Sequence, residues 1–93
     1  METKSRSNNS TKDVLKNTFS VYSNELANAI YIDLHSDDSS VFYVVYDKKG
    51  EIVKENRNLS KRNTLSLHPF PSGLYTIEIN GSNKTVVKTI LRL

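Results

Sequence analysis

Pro71-Ser72-Gly73-Leu74-Tyr75-Thr76-Ile77-Glu78-Ile79-Asn80-Gly81 is the stretch on which the fold turns. It opens with turn chemistry, because Pro71 fixes φ and Gly73 can take φ > 0. It then alternates strictly. Tyr75, Ile77 and Ile79 point one way and Thr76 and Glu78 the other, the period of a half-buried strand. Asn80-Gly81 closes it with a short-range turn signal. Lys84 to Leu93 is β-rich again, so this stretch predicts a C-terminal hairpin that closes one sheet of a small sandwich. In its last strand Val87, Thr89, Leu91 and Leu93 share one face, and Val86, Lys88, Ile90 and Arg92 the other.

Upstream, the same period recurs in short pieces. Thr18 to Tyr22 alternates and predicts a first edge strand, with a turn at Ser23-Asn24-Glu25. Asn28 to Leu34 predicts a second strand with Ile30, Ile32 and Leu34 toward the core. Val41 to Asp47 carries large residues on both faces, as does a central strand covered on both sides or one with a face lined by aromatics under a loop. Lys48-Lys49-Gly50 turns the chain, with Gly50 at the left-handed position, and Glu51 to Glu55 returns. Asn63 to Leu67 alternates with Leu65 and Leu67 inward. His68 to Gly73 is a corner, with Phe70 as a plug at the sandwich end. No segment of ordinary helix length has helical period. About seven short strands with turn signals between them predict an all-β, immunoglobulin-like antiparallel sandwich over 18–93.

Residues 1–17 are polar and rich in Asn, Ser, Thr and Lys, with Val14-Leu15 their only apolar pair. Such a segment buries too little to offset its ordering entropy, so it reads as a disordered linker or tether, with at most one helical turn at 13–16. The 93 residues suffice for one domain, and a hydrophobic share of 37% implies a compact core. There is no cysteine, which excludes disulfides and thiolate metal sites. The net charge of +3 is mild, and the pairs Lys48-Lys49 and Lys61-Arg62 flank turns, so no nucleic-acid surface is indicated. No apolar run approaches the ~20 residues of a membrane helix. No apolar h-region follows Met1, which suits a cytoplasmic protein or a piece of a longer one.

Residues that carry chemistry are sparse. His35 and His68 lie at a strand end and a proline-rich corner, without the spacing of metal ligands. Asp37-Asp38 matches no calcium loop. With three glycines in the chain, no phosphate cradle or Gly-rich oxyanion loop is available. Neither enzyme activity nor a cofactor is expected. Tyr75, just after a corner, is placed to lay its ring on the core and hydrogen-bond upstream backbone.

Four pieces in order resemble the type A C-terminal sorting domain of the Bacteroidetes type IX (Por) secretion system. They are Val21-Tyr22-Ser23-Asn24-Glu25 followed by Ile30-Tyr31-Ile32; Val44-Val45-Tyr46-Asp47-Lys48-Lys49-Gly50-Glu51-Ile52-Val53; Leu65-Ser66-Leu67 through Pro71-Ser72-Gly73-Leu74-Tyr75-Thr76-Ile77; and the Lys-rich closing strand 84–93. The family's Pro-Asn-Pro turn keeps only Asn24, with Ser23 and Glu25 in place of the prolines. The resemblance implies a non-catalytic module at the end of a larger exported cargo protein, read by secretion machinery, crossing the periplasm to the cell surface or beyond. Such domains are often removed outside, and the cargo is in some cases anchored to surface lipopolysaccharide. It also implies that the signal peptide lies at the parent's far end and that 1–17 links to a cargo domain. Asn24, Gly50, Gly73 and Tyr75 are then the structural positions. The surface read by the machinery is expected to be the last hairpin, with Lys88 and Arg92 as exposed basic contacts and edge-strand pairing as the mode. The alternative is a stand-alone sandwich that binds glycan or protein at the cell surface or in the periplasm, with Tyr31 and Tyr43 as candidate platform aromatics.

Overall fold

The alternation around Ile77 is realised as strand, with Tyr75, Ile77 and Ile79 buried and their even-numbered neighbours half-buried or exposed. The computed structural model describes residues 19–35, 40–82 and 84–93. Among these the strands are β1 (Phe19–Asn24), β2 (Ala29–Leu34), β3 (Phe42–Tyr46), β4 (Ile52–Asn56), β5 (Arg62–Ser66), β6 (Gly73–Asn80) and β7 (Thr85–Arg92). A single 3-10 turn, Glu25–Ala27, follows β1. One sheet has the order β1-β2-β5 and the other β4-β3-β6-β7, with every pairing antiparallel. This is the all-β sandwich the sequence predicts. The expected linker at 1–17, the helical turn at 13–16 and the Asp37-Asp38 pair lie outside the described residues.

The core forms where the inward faces meet. Ile30 and Ile32 of β2 and Leu65 of β5, with Leu67 just beyond it, pack against Tyr43 and Val45 of β3, the inward side chains of β6, and Ile90 of β7. Phe19 and Val41 close one end of this cluster, and Phe70 packs on its margin. Burying each such side chain contributes roughly 1.5–3 kcal/mol, which is what specifies strand register in a domain this small. β3 is an inner strand, as its two large faces predict. Its outward Val44 is also buried, lying between Glu55 and Glu78 in the neighbouring strands.

Turn chemistry fixes the connections. At the β3–β4 turn Asp47 Oδ1 accepts from the amides of Lys49 and Glu51, both at 2.9 Å, and Gly50 takes φ 85°. An L side chain rarely adopts that angle, so glycine suits the position. At the β5–β6 corner the Tyr75 hydroxyl donates to the Pro71 carbonyl at 2.6 Å, and its ring lies 5.3 Å from that of Phe70. Gly73, at φ 154°, starts β6. Gly81 follows β6 in the turn that the sequence signals. It does not take a positive φ, and the hairpin is closed instead by Gly81 N–H donating to the Lys84 carbonyl at 2.8 Å. Glycine fits there because a Cβ would stand 2.9 Å from Cε1 of Phe19.

Local boundaries also shift. The first strand runs through Asn24 rather than ending at Tyr22, and the turn becomes the 3-10 segment after it. Asn24 caps that segment by accepting from the Ala27 amide at 3.3 Å, and Asn28 leaves it in the left-handed region at φ 50°. Two asparagines thus shape a turn that contains no proline.

The two sides of β7 give a direct test of this register. Ile90→Ala is expected to lower the unfolding free energy by about 2–5 kcal/mol, whereas Leu91→Ala on the outward side stays within about 0.5 kcal/mol. Urea denaturation of the two variants checks this.

Candidate interaction surface

β7 is eight residues long and forms one edge of the four-stranded sheet. Its pairing with β6 runs without a bulge from Gly73↔Arg92 to Asn80↔Thr85. The other edges are less open to added strands. β4 is five residues long, has a register shift opposite Val45/Tyr46 and carries Lys54 and Glu55. β5 is equally short and polar, and β1 is six residues long and ends in the exposed Tyr22, Ser23 and Asn24. Short, bulged or charged edges resist pairing with a further strand, and β7 is the long, regular exception.

Its outward face carries apolar side chains. Val87 is 56% exposed, Leu91 57% and Leu93 84%. Near its end lies a cleft of about 540 Å³ lined by Leu26, Leu74, Thr89, Ile90, Leu91 and Leu93 together with the polar Glu25 and Asn28. Leu26, at 98% exposure, stands on the 3-10 segment of the opposite sheet. β7 contributes to this cleft from both of its faces, through Ile90 on the inward side and Thr89 and Leu91 on the outward side.

The inward face of β7 carries the cations. Lys84, Lys88 and Arg92 are spaced by four residues, about 13 Å apart along a strand and on one side of it. Lys84 Nζ donates to the Phe19 carbonyl at 2.8 Å and lies 4.8 Å from the centre of the Phe19 ring. Arg92 Nε donates to the Leu67 carbonyl at 3.2 Å and its Nη2 to that of His68 at 3.3 Å. These two side chains fasten the ends of β7 to the other sheet. Lys88 sits opposite Ile77 and is half-buried. Among the described residues neither a hydrogen bond nor an ion pair involves it.

The expectation that Lys88 and Arg92 are exposed contacts is therefore corrected. Both are half-buried on the inward side. The rule that charge faces water overlooked that their alkyl stems can line the core while the heads reach its edge. Reasoning from sequence also missed Lys84 as a clip and Leu26 as an exposed knob. The signal for Lys84 was present in its parity with Lys88 and Arg92. The other named positions are spread through the scaffold: Asn24 at the 3-10 cap, Gly50 and Gly73 at turns, Tyr75 in the corner. They do not converge on a single site.

The outer face of the three-stranded sheet presents a second feature. The Tyr22 and Tyr31 rings stack at 5.3 Å, and the Tyr22 hydroxyl donates to Asp33 Oδ2 at 2.8 Å. That hydrogen bond to a carboxylate raises the Tyr22 pKa above its ordinary 10.0. Tyr43, proposed above as a platform aromatic, is instead in the core and unavailable to a glycan. His35 contacts Ser20 Oγ at one end of this sheet, while His68 follows β5 at the other. Among the described residues no three His, Asp or Glu side chains gather as a metal site. No helix there is long and apolar enough to cross a membrane.

Fold and surface together define an immunoglobulin-like sandwich with an open terminal strand. A solved structure agrees on the fold. A DUF3244 family protein from Bacteroides vulgatus ATCC 8482, described as an immunoglobulin-like β-sandwich, matches with a TM-score of 0.65 at 22% identity, covering 82% of this chain and 84% of that one. The family model for the secretion system C-terminal sorting domain matches residues 20–92, and the chain belongs to this type IX sorting-domain family. No curated protein matches it.

Two measurements check the geometry. Arg92→Met keeps the stem and removes the guanidinium, and is expected to cost about 1.5–3 kcal/mol in urea denaturation, the scale of hydrogen bonds to a charged group. In Asp33→Asn the Tyr22 phenol is expected to titrate closer to 10.0 than in the parent, read from its NMR ring shifts. Because the folded pKa is the raised one, the Tyr22–Asp33 bond is complete below pH 10.0 and is lost as pH climbs through the raised value.

Proposed function

We propose that this domain is the non-catalytic sorting signal of a larger exported protein, recognised by the type IX secretion machinery through its folded surface and its terminal strand. In this reading the parent's cargo precedes the sandwich, and the route runs through the periplasm to the cell surface or the medium. Membership of the sorting-domain family supports the role. The observation that carries the mode of recognition is β7, a long regular edge strand with Val87, Leu91 and Leu93 turned outward. Recognition of this kind needs shape, backbone hydrogen bonds and apolar contact, with no bond chemistry.

The test is export of a reporter fused ahead of residues 1–93 in a host with the type IX apparatus. Removing 87–93 is expected to abolish export. Because that truncation also removes Ile90 from the core, the variant Val87→Asp/Leu91→Asp accompanies it. This pair alters only exposed side chains, so the domain is expected to stay folded by circular dichroism while export falls by about tenfold or more, the scale of 1.4 kcal/mol in recognition. Undiminished export of the folded double variant would refute recognition through β7.

A further inference from the structure

We propose that the free edge of β7 accepts an extended strand from a partner protein, and that this strand presents a carboxylate to Lys88 and an apolar side chain to the Leu26–Leu74–Leu91–Leu93 cleft. The proposal rests on the recognition reading above and specifies the partner's chemistry.

Three observations select this occupant. The first is the backbone. β7 is the one long edge among the described strands that runs without a bulge, and no described strand pairs its outer side. Its N–H and C=O groups on that side are free to template another strand. The second is the charge left over. Lys84 and Arg92 are engaged by backbone carbonyls at either end, whereas Lys88 between them is half-buried with no hydrogen bond or ion pair among the described residues. Side chains directly across a strand pair stand about 4.5–5.5 Å apart, so a strand laid along β7 carries its inward residue to Lys88. A carboxylate there gains a pairing partner, and a cation there is repelled. The third is the cleft of about 540 Å³, which receives an apolar side chain further along the same edge.

The same charges disfavour a second copy of this chain. Two antiparallel pairings of equal length keep the inward faces of two such strands together. One, 85–93 against 93–85, sets each Lys88 opposite Ile90 and leaves it without a counter-charge; the other sets 84–92 against 92–84. It places Lys88 opposite Lys88 and Lys84 opposite Arg92. Like charges directly opposed destabilise a strand pair. An inward-pointing lysine is also one of the devices by which edge strands avoid self-association. Lys88 thus discriminates: it opposes pairing with an identical strand and favours an acidic one.

The experiment uses the whole chain and three blocked nine-residue peptides of alternating threonine and valine, ending in leucine. They differ only in the central, inward residue, which is glutamate, glutamine or lysine. NMR titration of the labelled protein reads both affinity and amide exchange. The glutamate peptide is expected to bind about tenfold more tightly than the lysine peptide. On binding, alternate amides of β7 become protected, the pattern of strand addition rather than adhesion to the apolar face. Lys88→Met preserves the length of the side chain and is expected to reduce the preference to under about twofold, while Lys88→Glu inverts it. Equal binding of the glutamate and lysine peptides by the parent protein would overturn the proposal. So would protection confined to β4, or a parent protein that dimerises through β7 in sedimentation. Because no export is involved, loss of reporter secretion without loss of peptide selectivity would reject the sorting role alone.

Discussion

Ile77 is the side chain on which the sandwich is aligned. β6 is an inner strand with β3 on one side and β7 on the other, so its parity is imposed on both. Ile77 pairs with Val45 and with Lys88, and Ile79 with Tyr43 and Val86. Once Ile77 faces the other sheet, Val45 and Tyr43 must face it too, and so must every even-numbered residue of β7. A slip of one residue would expose this whole set, since the side-chain period of a strand is two. The corner before β6 holds that register, because Tyr75 is anchored to the Pro71 carbonyl as its ring joins the core.

The cations of β7 follow from this geometry. Their inward position is costly unless the heads find acceptors or water. Lys84 and Arg92 meet the requirement with main-chain carbonyls at the two ends of the opposite sheet. The same bonds hold a terminal strand that would otherwise depend on a single neighbour. Both sides of β7 are therefore mixed: Val86 and Ile90 share the inward side with the cations, and Val87 and Leu91 share the outward side with Thr85 and Thr89, a departure from strict hydrophobic-in, polar-out alternation.

Much of this was legible in the sequence. Period-two alternation identified the strands, and Ile30, Ile32, Leu65, Leu67, Ile77 and Ile79 were all assigned to the core that they occupy. Gly50 and the Tyr75 corner were legible because their turn chemistry is local. Gly81 was not, since its reason is the Phe19 ring of β1, distant in the chain, that only the packed structure brings near. Tyr43 was ambiguous for a related reason. A strand with large residues on both faces gives no parity of its own, and its inward face was set by pairing with Ile79. For β7 two rules conflicted. Charge placed Lys88 and Arg92 outside, whereas the register of the hairpin sets them on the same side as the inward Ile79. Parity prevailed because it is fixed by backbone hydrogen bonding over eight residue pairs, and a flexible alkyl stem can satisfy it without burying the charge itself.

That outcome bears on how a sorting module can expose an apolar strand and remain separate from its copies. A strand with Val87, Leu91 and Leu93 outward would ordinarily invite pairing with itself. Covering the edge would prevent this but would also hide it from a receptor. A cation on the inward side resolves the conflict, because it acts only when another strand arrives and it acts differently on each candidate. An identical strand sets Lys88 against Lys88 or against Ile90, a neutral strand leaves Lys88 desolvated without a partner, and an acidic strand supplies the missing counter-charge. Selectivity then resides in one half-buried side chain, while the backbone of β7 provides the attachment common to any strand.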